Sequence, residues 1–190
     1  MSEQDGLLAL CGRVAAQRLP RWAELPDLEL YMDQVLSLVE RYLGSYPGFD
    51  GRGLTASMVN NYVKLGVMPP PVRKKYTRVH LAYLIVICVL KASLPIDSIR
   101  NIVAASVLPE GESAFYDRFC DRFEATAREA AEAAGAQVKA EEGPPVLSAY
   151  CAALRAQAEQ ALALELYRAA FPEPPKKEPK KDKKERKESV

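Results

Sequence analysis

The residues best suited to chemistry lie between Leu54 and Tyr76. Thr55 is a good cap for a short helix over Ala56 to Leu65 that stops at Gly66. On that helix Ser57, Asn60, Asn61 and Lys64 are polar groups to present outward, while Met58, Tyr62 and Leu65 pack inward. Asparagine can read an adenine edge with two hydrogen bonds, and lysine suits a phosphate or a guanine. Beyond the helix, Pro69, Pro70 and Pro71 must be extended, and they stiffen a turn that projects Arg73, Lys74 and Lys75 together ahead of Tyr76. Three adjacent cations on a pre-ordered loop form a phosphate clamp, because little entropy is left to lose on binding. The plainer alternative is that Asn60 and Asn61 solvate a helix and the cations a loop, since charge runs are usually surface.

Other reactive groups form no constellation. The single histidine, His80, has no cysteine beside it and reads as a surface or helix-start residue. Cys11, Cys88, Cys120 and Cys151 lie 77, 32 and 31 residues apart, which is neither a zinc nor a disulfide pattern. Cys88, within an apolar stretch, reads as a small buried hydrophobe. There is no Gly-rich phosphate loop, nucleophile elbow or carboxylate pair, so no catalytic residue, metal or cofactor is expected and the chain does not read as an enzyme. Phe115, Phe119 and Phe123 recur every four residues and read as core, with an effector pocket as the alternative.

Charge supports a polyanion partner. The 190 residues carry a net charge of only +1, but residues 52–100 hold eight basic side chains and one acid, Asp97. The flanking segments 1–51 and 101–171 are acidic, at −4 and −5. A basic block between two acidic ones fits nucleic acid at the middle of the chain. The longest apolar run, Leu81 to Leu90, is too short to span a bilayer, and the acidic start is unlike a signal peptide. A reduced, cytoplasmic protein with no membrane partner is expected.

The elements that position these residues are helical, so the fold class is all-α. Leu7, Leu8, Cys11, Val14 and Ala15 mark a first helix closed near Pro20. Asp27 caps a second, with Leu28, Tyr31, Met32, Val35, Leu36, Val39 and Leu43 on one face and Gly44 as its stop. The stretch 46–53 is turn chemistry. Thr77 caps an apolar helix through Lys91, and Pro95 begins a further short one. A Phe-bearing helix to Gly135 and a last helix from Val146 to Phe171 form a helical hairpin. The expected organisation is an N-terminal helix and linker over 1–27, a DNA-binding domain over 28–105, a C-terminal helical pair for dimerisation or effector sensing over 106–171, and a disordered Lys/Glu/Pro tail over 172–190.

Three strings carry a resemblance to a known family: Leu28-Glu-Leu-Tyr-Met-Asp-Gln-Val35, Leu54-Thr-x-x-Met-Val-Asn-Asn-Tyr-Val-Lys64 and Pro69-Pro-Pro-Val-Arg-Lys-Lys-Tyr76. Over about residues 26–105 the chain resembles the bacterial family called domain of unknown function 1836. More distantly, the order Tyr62-x-x-x-Gly66-x-x-Pro69, then Lys75-Tyr76, an apolar helix and Pro95-Ile96-x-x-Ile99-Arg100 is similar to the MerR-type winged helix-turn-helix. That resemblance implies a recognition helix in the major groove bearing Thr55, Ser57, Asn60, Asn61 and Lys64, with Tyr62 packed or on the backbone. It also implies a wing whose Arg73, Lys74, Lys75 and Tyr76 grip phosphate. The chain departs from the MerR pattern in the 11-residue stretch Gly44–Leu54 between its two motif helices and in having no long heptad helix, so promoter distortion is not implied. A transcriptional regulator on double-stranded DNA, forming a homodimer through an exposed apolar face of its C-terminal pair, is therefore expected. The alternative is a helical protein–protein interaction module that keeps the fold without binding DNA.

Overall fold

The computed structural model describes residues 2–44, 46, 53–140 and 145–172. Within them the chain is all-helical: α1 (Glu3–Ala15), a 3-10 turn (Trp22–Glu24), α2 (Met32–Leu43), α3 (Ala56–Lys64), α4 (Arg78–Leu90), α5 (Ile96–Val107), α6 (Gly111–Ala140) and α7 (Pro145–Ala170). The expected turn over 46–53 and the tail beyond Pro172 lie almost wholly outside the described residues.

The core is built around α4. Leu81, Leu84, Ile85, Val86 and Ile87 are completely buried there, and Cys88 nearly so. A helix apolar on every side must be surrounded, and α2, α5 and α6 all pack against it. Burial pushes the Cys88 thiol up to about 11, which leaves it a hydrophobe at neutral pH. From α2 come Val35, Val39 and Leu43, one stripe at helical spacing, all fully buried.

Local signals explain where most helices begin and end. Ser2 and Asp5 form a capping box at α1, with N–H···O distances of 3.1 and 2.9 Å in the two directions. Before α4, His80 Nδ1 accepts the Thr77 N–H at 3.0 Å. His80 is thus a helix-start residue, but it is buried rather than on the surface.

Three boundaries differ from the expectation. Helix α2 begins at Met32 instead of after Asp27, because Leu30 is taken up in an antiparallel bridge to Tyr76. Leu28 and Tyr31 are consequently exposed rather than on the buried stripe, and Asp27 approaches Arg78 at 3.7 Å instead of capping a helix. The first helix starts earlier, at Glu3. Helix α6 runs through Gly135 to Ala140, held there by α1: Leu8 packs over Gly135, and the Gln4 side-chain amide donates to the Val138 carbonyl at 3.0 Å.

Arg21 fastens the N-terminal segment to α6. Its guanidinium donates to the Asp117 carbonyl (3.1 Å), Asp121 (2.6 Å) and Glu124 (2.9 Å), while the Asp117 carboxylate accepts the Trp22 N–H at 2.7 Å. Helix α7 packs on α6 and α1, and among its described side chains, 146–170, none is fully buried. No helix among the described residues is long and apolar enough to cross a membrane.

Candidate nucleic-acid interface

The candidate surface has two parts, a helix face and a hairpin tip. Helix α3 starts where expected, with Thr55 Oγ1 accepting the Met58 N–H at 3.2 Å. Val59 and Tyr62 point into the core, Met58 and Leu65 are half-buried, and α3 packs on α2. Ser57, Asn60, Asn61 and Lys64, spaced three and four apart, are all exposed along the opposite stripe, as is Thr55 at the cap.

The helix stops sharply. Gly66 takes φ +68°, its N–H bonding to the Val63 carbonyl at 3.0 Å, while the Val67 N–H reaches the Tyr62 carbonyl at 2.9 Å. These are the two bonds of a Schellman motif, which needs a left-handed residue where Gly66 stands. Arg100 of α5 adds a third lock, reaching the Leu65 carbonyl at 3.4 Å while paired with Asp97 at 3.2 Å. Val67 and Met68 then bury, so the segment leading to the prolines is anchored at its base.

Beyond the prolines comes a minimal hairpin. Val72 and Lys75 form an antiparallel bridge, with the Lys75 N–H on the Val72 carbonyl at 2.8 Å. The two residues between them, Arg73 and Lys74, both have positive φ, 50° and 63°. That is the pattern of a type I′ turn, whose twist suits a hairpin and whose usual occupants are Asn and Gly. Tyr76 follows, exchanging both backbone hydrogen bonds with Leu30 at 2.7 and 2.9 Å. Its ring is buried and stands edge-on to His80 at 5.3 Å. The hairpin thus rests on the first turn of α4 and is tied laterally to the entry of α2.

The structure divides the ten sequence-derived site residues. Thr55, Ser57, Asn60, Asn61, Lys64, Arg73 and Lys74 are solvent-facing, whereas Tyr62 and Tyr76 are core side chains. Burial raises the pKa of both phenols. Lys75 does not project with its two neighbours. It folds back so that Nζ lies 3.2 Å from the Tyr31 ring centroid, a cation–π contact. The tip therefore carries two free cations and not three.

The rest of the basic block sorts in the same way. Arg78 donates to the Leu25 carbonyl at 3.0 Å and lies 5.8 Å from the Trp22 ring, and Arg100 is engaged at α3. Lys64, Arg73, Lys74 and Lys91 are exposed and form no ion pair among the described residues, while Arg52 lies outside them. Sequence reasoning missed Tyr31 as the platform for Lys75 and Leu30 as the partner of Tyr76. The alternation Leu28-Glu29-Leu30 was the available signal, since a period of two indicates extended chain. No cluster of His, Cys, Asp and Glu able to hold a metal occurs among the described residues.

A family model described as Domain of unknown function (DUF1836) matches residues 20–119, more than half of the chain. No curated protein and no solved structure matches it. The matched span begins at Pro20, just before the Arg21 anchor, and takes in α2 to α5, the hairpin and the first residues of α6.

Proposed function

We propose that this chain, which belongs to the family described as Domain of unknown function (DUF1836), binds double-stranded DNA as a transcriptional regulator. The observation that carries this reading is the conformation of Arg73 and Lys74. A left-handed backbone costs an ordinary residue roughly 1–2 kcal/mol, and here two successive long cations adopt it where Asn-Gly would serve the turn more cheaply. Strain of this kind is kept where the side chains are needed. What the turn gains is two unpaired positive charges on a tip held by the Leu30–Tyr76 bridge.

In this reading α2 and α3 are the helix pair of a MerR-like winged helix-turn-helix, α3 enters the major groove and the 72–75 hairpin is the wing on the phosphates. Asn60 and Asn61 are the base-reading candidates, and Lys64, Arg73 and Lys74 the phosphate contacts. Thr55 and Ser57 lie at the helix N-terminus, where hydroxyls and N–H groups favour an anion. Tyr62, Lys75 and Tyr76 support the surface and do not touch DNA. A second copy of the chain completes the regulator by packing on α7, where Tyr150, Leu154, Leu162 and Leu166 are exposed. No catalytic role or cofactor is proposed.

The alternative, a protein-binding module on the same fold, draws on Leu28, Tyr31 and Val72, which are 55%, 55% and 71% exposed beside the hairpin. Fluorescence anisotropy on a randomised duplex across a salt series separates the two. The DNA reading expects affinity that falls steeply with salt, and for Arg73→Ala with Lys74→Ala a log–log slope shallower by about 2 at unchanged thermal stability. Absence of binding at low salt, or an unaltered slope in the folded double variant, overturns it in favour of the protein partner.

A further inference from the structure

A cavity of about 470 Å³ opens where α1, the C-terminal end of α4 and the middle of α6 meet. Its walls are mostly apolar, with Val14, Tyr46, Val89, Phe119 and Phe123, and carry Gln17, Ser93 and Thr126 as polar lining. Tyr46 and Phe123, with ring centroids 5.4 Å apart, also line an adjoining crevice of about 600 Å³. The size is within the range of small-molecule sites. Phe119 and Phe123 are only half-buried, so their inward faces are left to water, a cost that a ligand would relieve.

One charged side chain, Arg122, contributes to the lining of the 470 Å³ cavity. It is exposed and makes no hydrogen bond or ion pair among the described residues. The charged groups around it on α6 are already engaged: Asp121 and Glu124 hold Arg21, and Arg118 is paired with Glu110. Arg122 is the one guanidinium on this cavity; on the adjoining crevice Arg13 is a second without an ion pair among the described residues, and Arg18 is held by Glu24. A mostly apolar chamber with an unneutralised guanidinium at its wall selects for a molecule that is apolar at one end and anionic at the other. Guanidinium offers two parallel N–H donors, the geometry a carboxylate takes.

We propose that this cavity binds a small amphiphilic carboxylate, its apolar body against Phe119, Phe123 and Tyr46 and its carboxylate on Arg122. The site lies away from α3 and the hairpin and does not depend on the DNA reading. It is tested on the full chain without nucleic acid.

Isothermal titration with decanoate, and with decanol as the uncharged control, provides the test. The expected result is saturable binding of one decanoate per chain, with decanol binding more weakly. Arg122→Met should weaken decanoate about tenfold and leave decanol unchanged, because only the charged hydrogen bond is lost. Ala127→Phe, which fills the lining, should abolish binding of both; if that variant does not fold, Phe119→Ala should weaken both. No saturable decanoate binding, or affinity indifferent to every folded variant, overturns the site. Equal loss of decanoate and decanol in Arg122→Met overturns the carboxylate assignment.

Discussion

At the first turn of α4, His80 holds two jobs that depend on its being uncharged. Its Nδ1 accepts the Thr77 N–H, and its ring lies buried against Tyr76 at the base of the hairpin. Burial lowers its pKa below the ordinary 6.5, with the Pro70 carbonyl opposing the shift. A base with a lowered folded-state pKa leaves the unfolded chain holding more protons in the window between the two values. Its contribution is therefore complete above about pH 6.5 and is lost as pH falls through that window. Acidification from about pH 7.5 to about 5.5 should lower the midpoint of urea unfolding. His80→Gln keeps an acceptor for the Thr77 N–H but cannot titrate, so its midpoint should be flatter over that range. Equal acid sensitivity in both proteins would show that other groups set the dependence. That His80 starts a helix was legible in the sequence, because a cap is a three-residue affair. That it is buried was not, because its cover, Tyr76, is brought over it by pairing with Leu30.

Among the elements, α3 and the hairpin contrast in how they are stabilised. Helix α3 has a cap residue, a glycine stop and a buried stripe, so every local preference agrees with the fold and its limits could be read from Thr55 and Gly66. Gly66→Ala should cost about 1 kcal/mol, purely through the positive φ, since nothing lies near its missing Cβ. The hairpin goes against local preference at Arg73 and Lys74, and nothing in their types announces a left-handed turn. Arg73→Asn with Lys74→Gly supplies the pair this turn favours. We expect the double variant to gain about 1–2 kcal/mol in denaturant unfolding while its duplex affinity falls and its salt slope flattens. A loss of stability instead would remove the argument that these cations are kept against the preference of the backbone. The start of α2 is the case where periodicity misled. Leu28, Tyr31 and Met32 continue the helical spacing of Val35, yet the chain there is extended because Leu30 pairs with a residue 46 positions away. A ladder bond of that separation leaves no trace within a helical window.

For the whole molecule the surface that stands out is α7, whose apolar side chains are exposed. At 1.5 Å per residue its 26 residues form a rod about 39 Å long, and among its described side chains, 146–170, none is fully buried. Tyr150, Leu154, Leu162 and Leu166 are 61%, 53%, 57% and 62% exposed and lie on a single i, i+4 ridge with Ala158 at its centre. The small central residue lets a second such ridge approach closely, and a two-fold pairing would place each copy's leucines in the other's groove. Val146 and Leu147, 65% and 40% exposed, add apolar surface toward the helix start. Sedimentation equilibrium at micromolar concentration should therefore find a dimer. Leu162→Glu with Leu166→Glu should give a monomer with unchanged helicity, since neither side chain supports its own fold. The same variant should lose affinity for a two-half-site duplex while keeping that of a single α3 and hairpin for non-specific DNA. The dimer would set two copies of α3 on one face of the duplex, so selected sites should show inverted half-sites about 34 Å apart or at a multiple of that spacing. A wild-type monomer, or a dimer indifferent to the two glutamates, would locate self-association elsewhere or remove it.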